Sequence, residues 1–296
     1  MAPTENRCSS EQGAPNRGVH GMMAQRPSRQ TSGAKRGISR VGRGRRLPEW
    51  WASYFTEDYL LEFEPIFDHA EDRRQVARLL DVLGLPAGAR LLDCPCGQGR
   101  HAHLLAEAGF SVDGLDYSKE LLARARLRGA DSRRLRYTRG DMRVLPRTWS
   151  GRFDAVLNLF TSFGFFLKPA DDARVVREFA RVLKPGGVLV WHGGSRDGVM
   201  ARFLPKDWWA TANGTVVMQE RSFDALSGIL SVTSSFASGP REMPAREHRI
   251  RLYTATRLSE LMQDAGLVVE GAFDAWTDRS LRRASSEMLL VARKEA

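Results

Sequence analysis

Between residues 90 and 192, five short apolar runs alternate with stretches of helical periodicity, and this rhythm constrains the fold more than any other feature. The runs are 90–94 (R-L-L-D-C), 111–115 (S-V-D-G-L), 135–138, 153–159 (F-D-A-V-L-N-L) and 188–192 (V-L-V-W-H). Residues 99–108, 118–128 and 171–183 read as helices, with Ser118 in the position of an N-cap ahead of Leu121 and Leu122. Lys184-Pro185-Gly186-Gly187 reads as a hard stop and turn. Strands joined through short helical connections imply right-handed crossovers and a parallel sheet, hence an α/β fold.

The flanks differ from this middle. An aromatic-dense segment from Leu47 leads into residues 70–83, where Val76, Leu79, Leu80 and Leu83 share one helical face until Gly84. Residues 47–85 are therefore expected to form an aromatic, helical cap, and 86–296 the main domain. After residue 200 the period becomes two, at 215–224, 228–236 and 248–254, which predicts a small antiparallel β lid inserted at about 205–254. A helix at 256–265 and strands at 267–270 and 287–293 close the chain.

The net charge of +10 does not belong to this body. Residues 1–46 hold ten Lys and Arg against Glu5 and Glu11, leaving 35 basic and 33 acidic residues for 47–296. The tail is rich in Gly, Ser, Arg and Pro and is expected to be disordered. A solvated extension or overlong start (Met22 and Met23 are internal alternatives), a tether to nucleic acid or an anionic surface, and an organellar transit peptide all fit its composition. No run approaches the roughly 18 apolar residues of a membrane helix, and no apolar leader is visible. Three cysteines do not make a disulfide framework, so a reducing, cytoplasmic setting is expected, with no membrane partner and a homodimer left open.

The stretch L-L-D-C-P-C-G-Q-G-R-H-A-H, Leu91 to His103, concentrates two cysteines and two histidines. It reads poorly as a metal site, because His101 and His103 are two apart on a helix and point roughly 200° away from each other, and neither ligand spacing is a zinc spacing. No metal site is expected, and Cys96 is read as a small residue packed under the loop. Gly97-Gln98-Gly99-Arg100-His101-Ala102 instead satisfies G-x-G-x-x-G/A after a strand and into a helix. Asp116, 19 residues after Gly97, ends the next strand and is placed to accept from ribose hydroxyls. Asp93 ends the first strand, where a carboxylate would repel a pyrophosphate by about 3 kcal/mol at 5 Å and an effective dielectric of 20. A cationic, phosphate-free nucleoside such as S-adenosylmethionine fits better than a nicotinamide dinucleotide.

The order L-L-D-x-x-C-G-x-G-R-H, G-L-D-Y-S, R-G-D-M, F-D-A-V-L-N-L-F-T-S-F-G and R-V-L-K-P-G-G resembles the class I S-adenosylmethionine-dependent methyltransferases, most closely their small-molecule branch. The match covers roughly 86–193. The resemblance implies a Rossmann-like doubly wound sheet, mostly parallel with an antiparallel last strand, and S-adenosylmethionine as cofactor. It implies that Asp93, Gly97 and Gly99 shape the methionine end, with Cys96 and Arg100 counted among the cofactor-binding residues, that Asp116 binds the ribose and that Tyr117 packs on the adenine. Asp141 would accept from the adenine amino group beside Met142, and Asn158, Leu159 and Phe160 would line the transfer channel. Pro95 departs from the small residue common in this loop and removes one N–H donor.

Transfer is an in-line displacement, and a base is needed only for an acceptor that arrives protonated. His192, at the end of the fifth strand, is the candidate, against a structural histidine bonded to backbone. Aromatic residues at 50–59, with Trp208 and Trp209, flank the open end, and His248, Arg249 and Arg251 could meet an acidic substrate. A small-molecule acceptor is the main expectation. Nucleic acid or protein is the rival acceptor; the strand-end Asn158-Leu159-Phe160-Thr161 lacks the prolines of base-amine methyltransferases, and the only cysteines available as a nucleophile are Cys8, Cys94 and Cys96. A nicotinamide oxidoreductase and a non-catalytic cofactor binder are the alternatives outside this class.

Overall fold

In the computed structural model, residues 49–128, 133–239 and 242–295 are described; the basic tail lies outside them. Among the described residues three α-helices precede the sheet, α1 (Trp51–Tyr54), α2 (Glu57–Glu62) and α3 (His69–Leu83). Asp68 caps α3 by accepting the Ala70 N–H, and Gly84, in the left-handed region at φ 55°, ends it.

The strands that follow are apolar on both faces, so both faces must be covered. β1 (Arg90–Asp93), α4 (Arg100–Glu107), β2 (Ser111–Asp116), α5 (Lys119–Arg128), β3 (Leu135–Arg139), β4 (Phe153–Asn158), α6 (Pro169–Val182) and β5 (Leu183–Gly194) alternate along the chain. After α7 (Arg196–Ala201) and a second sheet come α8 (Ala255–Gln263), β10 (Leu267–Asp274) and β11 (Glu287–Lys294). Seven strands form one sheet in the order β10-β11-β5-β4-β1-β2-β3. β1 to β5 are parallel, and β11 runs antiparallel to both of its neighbours, β5 and β10. Side chains of α3, α4 and α5 build the core on one face, those of α6 and α8 the core on the other. This is the doubly wound, Rossmann-like architecture, with the last strand inserted beside β5 instead of standing at the edge.

The second sheet is an antiparallel meander of β6 (Lys206–Ala210), β7 (Val216–Asp224), β8 (Ile229–Ala237) and β9 (Arg246–Arg251). Its first strand, with Trp208 and Trp209, was not anticipated from the sequence. A second difference concerns Lys184–Gly187. These residues are not a turn between elements but an irregularity inside β5, where the register against β4 shifts between Phe153 and Ala155. Gly186, at φ 73°, absorbs the extra residues without leaving the sheet. No described helix is long and apolar enough to cross a membrane.

Candidate active site

Ligands of parallel sheets gather beyond the carboxyl ends of the strands. A cavity lies at that end, bounded by Gly97 and Gln98 after β1, Asp116 and Tyr117 at the end of β2, and Asp141 and Met142 after β3. The rest of its lining is largely aromatic: Trp51 on α1, Phe55 just after it and Tyr59 on α2, with Phe165 and Phe166 after β4.

The loop after β1 is held to β2 by the acid at its end. Asp116 accepts the Gly97 N–H at Oδ2 (2.9 Å) and the Ser118 N–H at Oδ1 (2.8 Å). Burial pushes its pKa up to about 6, against the pull of these amides. Ser118 caps α5 through its hydroxyl to the Leu121 N–H (3.1 Å) and donates to the Phe55 carbonyl (2.6 Å), fastening the aromatic wall. Asp141 is clamped by Arg143, 2.7 Å away. The same guanidinium pairs with Glu49 (2.7 Å) and lies over the Phe166 ring, 4.5 Å from its centroid. Tyr117 packs edge-on against Trp51 at 4.8 Å.

The two glycines of the loop do different work. Gly97 has φ 54°, and a Cβ there would meet no protein atom within 4 Å, because that direction is open cavity wall. Gly99 has φ 76°, but a Cβ there would come 2.4 Å from Tyr137 Oη and 3.0 Å from Ala125 Cβ. The Gly97 backbone is open on that side; Gly99 lets the start of α4 lie against Tyr137 of β3 and Ala125 of α5.

Gly97, Asp116, Tyr117, Asp141 and Met142 thus meet on one wall. Asp93 does not. It is buried below the loop, its carboxyl takes the Ala102 N–H, and burial pushes its pKa up to about 7 despite Arg100 nearby. Cys96 packs beneath the loop, its Sγ 3.0 Å from where a Cβ of Gly114 would stand. Arg100 turns toward α3, where it pairs with Asp72, donates to Gln75 Oε1 at 3.2 Å and lies over Phe160 at 4.2 Å. His101 bonds the same Gln75 oxygen at 2.7 Å, and His103 meets Glu107 at 3.1 Å. Asn158 donates to the Cys94 carbonyl (2.8 Å); its Oδ1 is buried and has no partner among the described residues. Leu159 is buried, and Phe160 and Thr161 adopt left-handed φ values of 61° and 58°.

His192 stabilises that left-handed tip. Its Nδ1 accepts the Phe160 N–H at 3.3 Å, its carbonyl accepts the Thr161 N–H at 3.1 Å, and its ring packs on Trp276 at 4.4 Å. With Nδ1 accepting, the ring proton sits on Nε2, 3.5 Å from Glu287. The lone pair a base would need is thus occupied, and the residue is 1% exposed and off the cavity wall. Arg249 pairs with Glu247, and Arg251 lies against Asp172.

Sequence reasoning missed Gln98 and the pair Phe165 and Phe166 on the wall. The aromatic run F-G-F-F after Asn158 was the available signal for the pair. Trp209, read as flanking the site, donates instead to the Glu62 carbonyl at 2.9 Å.

The wall carries the carboxylates of Asp116 and Asp141, the second neutralised by Arg143, and no cationic side chain among its lining residues, which favours a phosphate-free nucleoside over a pyrophosphate. The open Gly97 direction leaves room for such a ligand beside Asp116. Fold and wall together are those of a nucleotide-fold protein with room for a nucleoside at the carboxyl end of its sheet.

Comparison with known proteins agrees. The family model described as "Methyltransferase domain" matches residues 91–187. A dTDP-3-amino-3,6-dideoxy-alpha-D-glucopyranose N,N-dimethyltransferase of Streptomyces fradiae is 30% identical over 197 residues, covering 62% of this chain and 72% of that one. A glycine/sarcosine N-methyltransferase of Halorhodospira halochloris is 33% identical over 153 residues, covering 50% of this chain and 57% of that one. The CcbJ methyltransferase of Streptomyces caelestis shares the fold, with a TM-score of 0.68 at 20% identity over 80% of this chain and 96% of that one. The chain belongs to the class I S-adenosylmethionine-dependent methyltransferases, and S-adenosylmethionine is its methyl donor.

Proposed function

We propose that the enzyme methylates a small organic acceptor held against the aromatic wall of this cavity. The observation that carries the reading is the lining. The loop after β1 shares the cavity with the rings of Trp51, Phe55, Tyr59, Phe165 and Phe166, an apolar aromatic lining with few polar groups of the kind that holds small molecules. Two relatives are named for small acceptors, an amino sugar nucleotide and glycine or sarcosine.

In this reading Asp116 accepts from the ribose hydroxyls, Asp141 from the adenine amino group, and Tyr117 and Met142 pack on the adenine ring. Gly97 admits the ligand to the loop backbone. Asp93, Arg100 and the unpartnered Oδ1 of Asn158 lie toward the methionine end, behind the loop. The bound donor supplies a methyl carbon made electrophilic by its sulfonium. The chain's contribution is chiefly orientation and exclusion of water, and effective molarities from such positioning are equivalent to roughly 7–11 kcal/mol. His192 acts on the β4 tip, not as a base.

The test is transfer of a labelled methyl group from S-adenosylmethionine to separate pools of amino sugars, phenols, amino acids, RNA and protein. Label in a small-molecule pool is expected. Label confined to RNA or protein would overturn the reading.

A further inference from the structure

The loop after β1 spends its backbone donors on protein. The Cys94 N–H donates to the Leu157 carbonyl and the Cys96 N–H to the Leu115 carbonyl, both at 2.9 Å. The Gly97 N–H goes to Asp116 and the Gly99 N–H to the Cys96 carbonyl at 3.0 Å, while Pro95 has none to give. Gln98 is the exception. Neither its backbone N–H nor its side-chain amide takes part in a hydrogen bond among the described residues, although the residue is only 6% exposed. A polar side chain so enclosed and left unpaired is a place for a ligand to complete.

The position of Gln98 says which ligand. It lines the cofactor cavity beside Gly97, and it also borders a second cavity with Leu60, Phe67, Arg124 and Asn213. The side chain therefore stands between two hollows, on the front of the loop. Asp93 and Arg100, behind the loop, are engaged by the Ala102 N–H and by Asp72. In the orientation proposed above, the adenosine of the methyl donor lies against Asp116, Tyr117, Asp141 and Met142, at the ends of β2 and β3. Its amino-acid end then runs along the loop after β1 and carries an ammonium, which must donate, and a carboxylate, which must accept. The loop amides other than that of Gln98 are taken, and no lysine or arginine is among the lining residues to meet the carboxylate. A neutral amide offers two N–H donors and an accepting oxygen, so it can serve either charge.

We propose that the Gln98 side-chain amide binds the amino-acid end of S-adenosylmethionine. The assignment rests on the donor orientation given under the proposed function and extends it to the end of the ligand remote from the adenine.

The test compares two ligands by calorimetry on the full chain. S-adenosylhomocysteine carries the amino-acid end; 5′-methylthioadenosine has the same adenosine and sulfur without it. Gln98→Met, unbranched and of similar length, should weaken S-adenosylhomocysteine about tenfold, as expected for a lost hydrogen bond to a charged group, and leave methylthioadenosine within about twofold. Retained methylthioadenosine binding also shows that the variant's cavity is intact. Asp116→Asn should weaken both ligands, because both carry the ribose. Equal weakening of the two ligands by Gln98→Met, or weakening of neither, overturns the assignment. A raised KM for an acceptor with S-adenosylhomocysteine affinity unchanged overturns it in favour of an acceptor contact from the second cavity. If Asp116→Asn spares methylthioadenosine, the donor orientation falls and the assignment with it; a failed Gln98→Met comparison alone leaves that orientation standing.

Discussion

The Gly97 N–H donates to Asp116 Oδ2 at 2.9 Å, so the loop after β1 and the acid ending β2 form one rigid unit at the cofactor wall. Asp116→Asn should break it, since an amide places N–H against N–H at Gly97 or Ser118. Calorimetry should show S-adenosylhomocysteine affinity at least tenfold weaker, consistent with the loss of charge-assisted hydrogen bonds worth roughly 1.5–3 kcal/mol. The pKa of about 6 adds a pH dependence. Below it the carboxyl is protonated and accepts poorly, so affinity should fall as pH drops from 6 to 5 and stay level from 7 to 8. The Asn variant should lack this slope.

The loop glycines should separate stability from binding. Gly99→Ala puts a Cβ 2.4 Å from Tyr137 Oη at φ 76°. Left-handed strain and overpacking together should cost roughly 3 kcal/mol, read as a fall in Tm of roughly 6–12 °C. Gly97→Ala meets no protein atom and should cost about 1–2 kcal/mol from the backbone alone. Its larger effect should be on S-adenosylhomocysteine binding, which shares that space. Equal effects on Tm and affinity in both variants would contradict this division.

Asp93 should make the fold pH-sensitive. Burial raises its pKa to about 7 in the folded chain, so the native state holds a proton that the unfolded chain releases near pH 4. Its contribution is present at low pH and is lost as pH rises through about 4 to 7. Asp93→Asn carries no such proton. Scanning calorimetry should show the variant gaining on the wild type between pH 5 and pH 8, by a few kcal/mol at about 1.4 kcal/mol per pKa unit. Parallel Tm curves would refute it.

Glu62 joins the N-terminal helices to the second sheet, as the partner of Tyr54, Ser234, Gln219 and Arg246. Glu62→Ala leaves Arg246 almost buried without its counter-charge. Urea unfolding should report a loss of roughly 3–5 kcal/mol. Glu62→Gln keeps the acceptor oxygen and should lose less.

Much of the site was legible because its signals are local. Gly97, Asp116 and Asp141 sit where strands end, and strand ends follow from short apolar runs. The aromatic segment from residue 47 announced a buried surface, and Trp51, Phe55 and Tyr59 line the cavity. Asp93, Arg100 and His192 were not legible. Each is a polar residue at a strand or helix end, and periodicity does not say whether such a side chain turns to a ligand or to protein. Arg100 found Asp72 on α3, and His192 found the Phe160 amide. The Lys184–Gly187 segment looked like a turn because turn residues also serve bulges, and the choice depends on the neighbouring strand.

By itself the sequence determined the alternation of strands and helices, the parallel sheet and the glycine loop with its acid, since each follows from propensity and spacing over a few residues. The tertiary structure alone decided which polar groups face the cavity and which satisfy one another in the core. Those outcomes depend on partners far apart in the chain, such as Tyr54 with His248 and Glu62 with Ser234. A buried polar group must find a partner in space, and no local pattern records which one it finds.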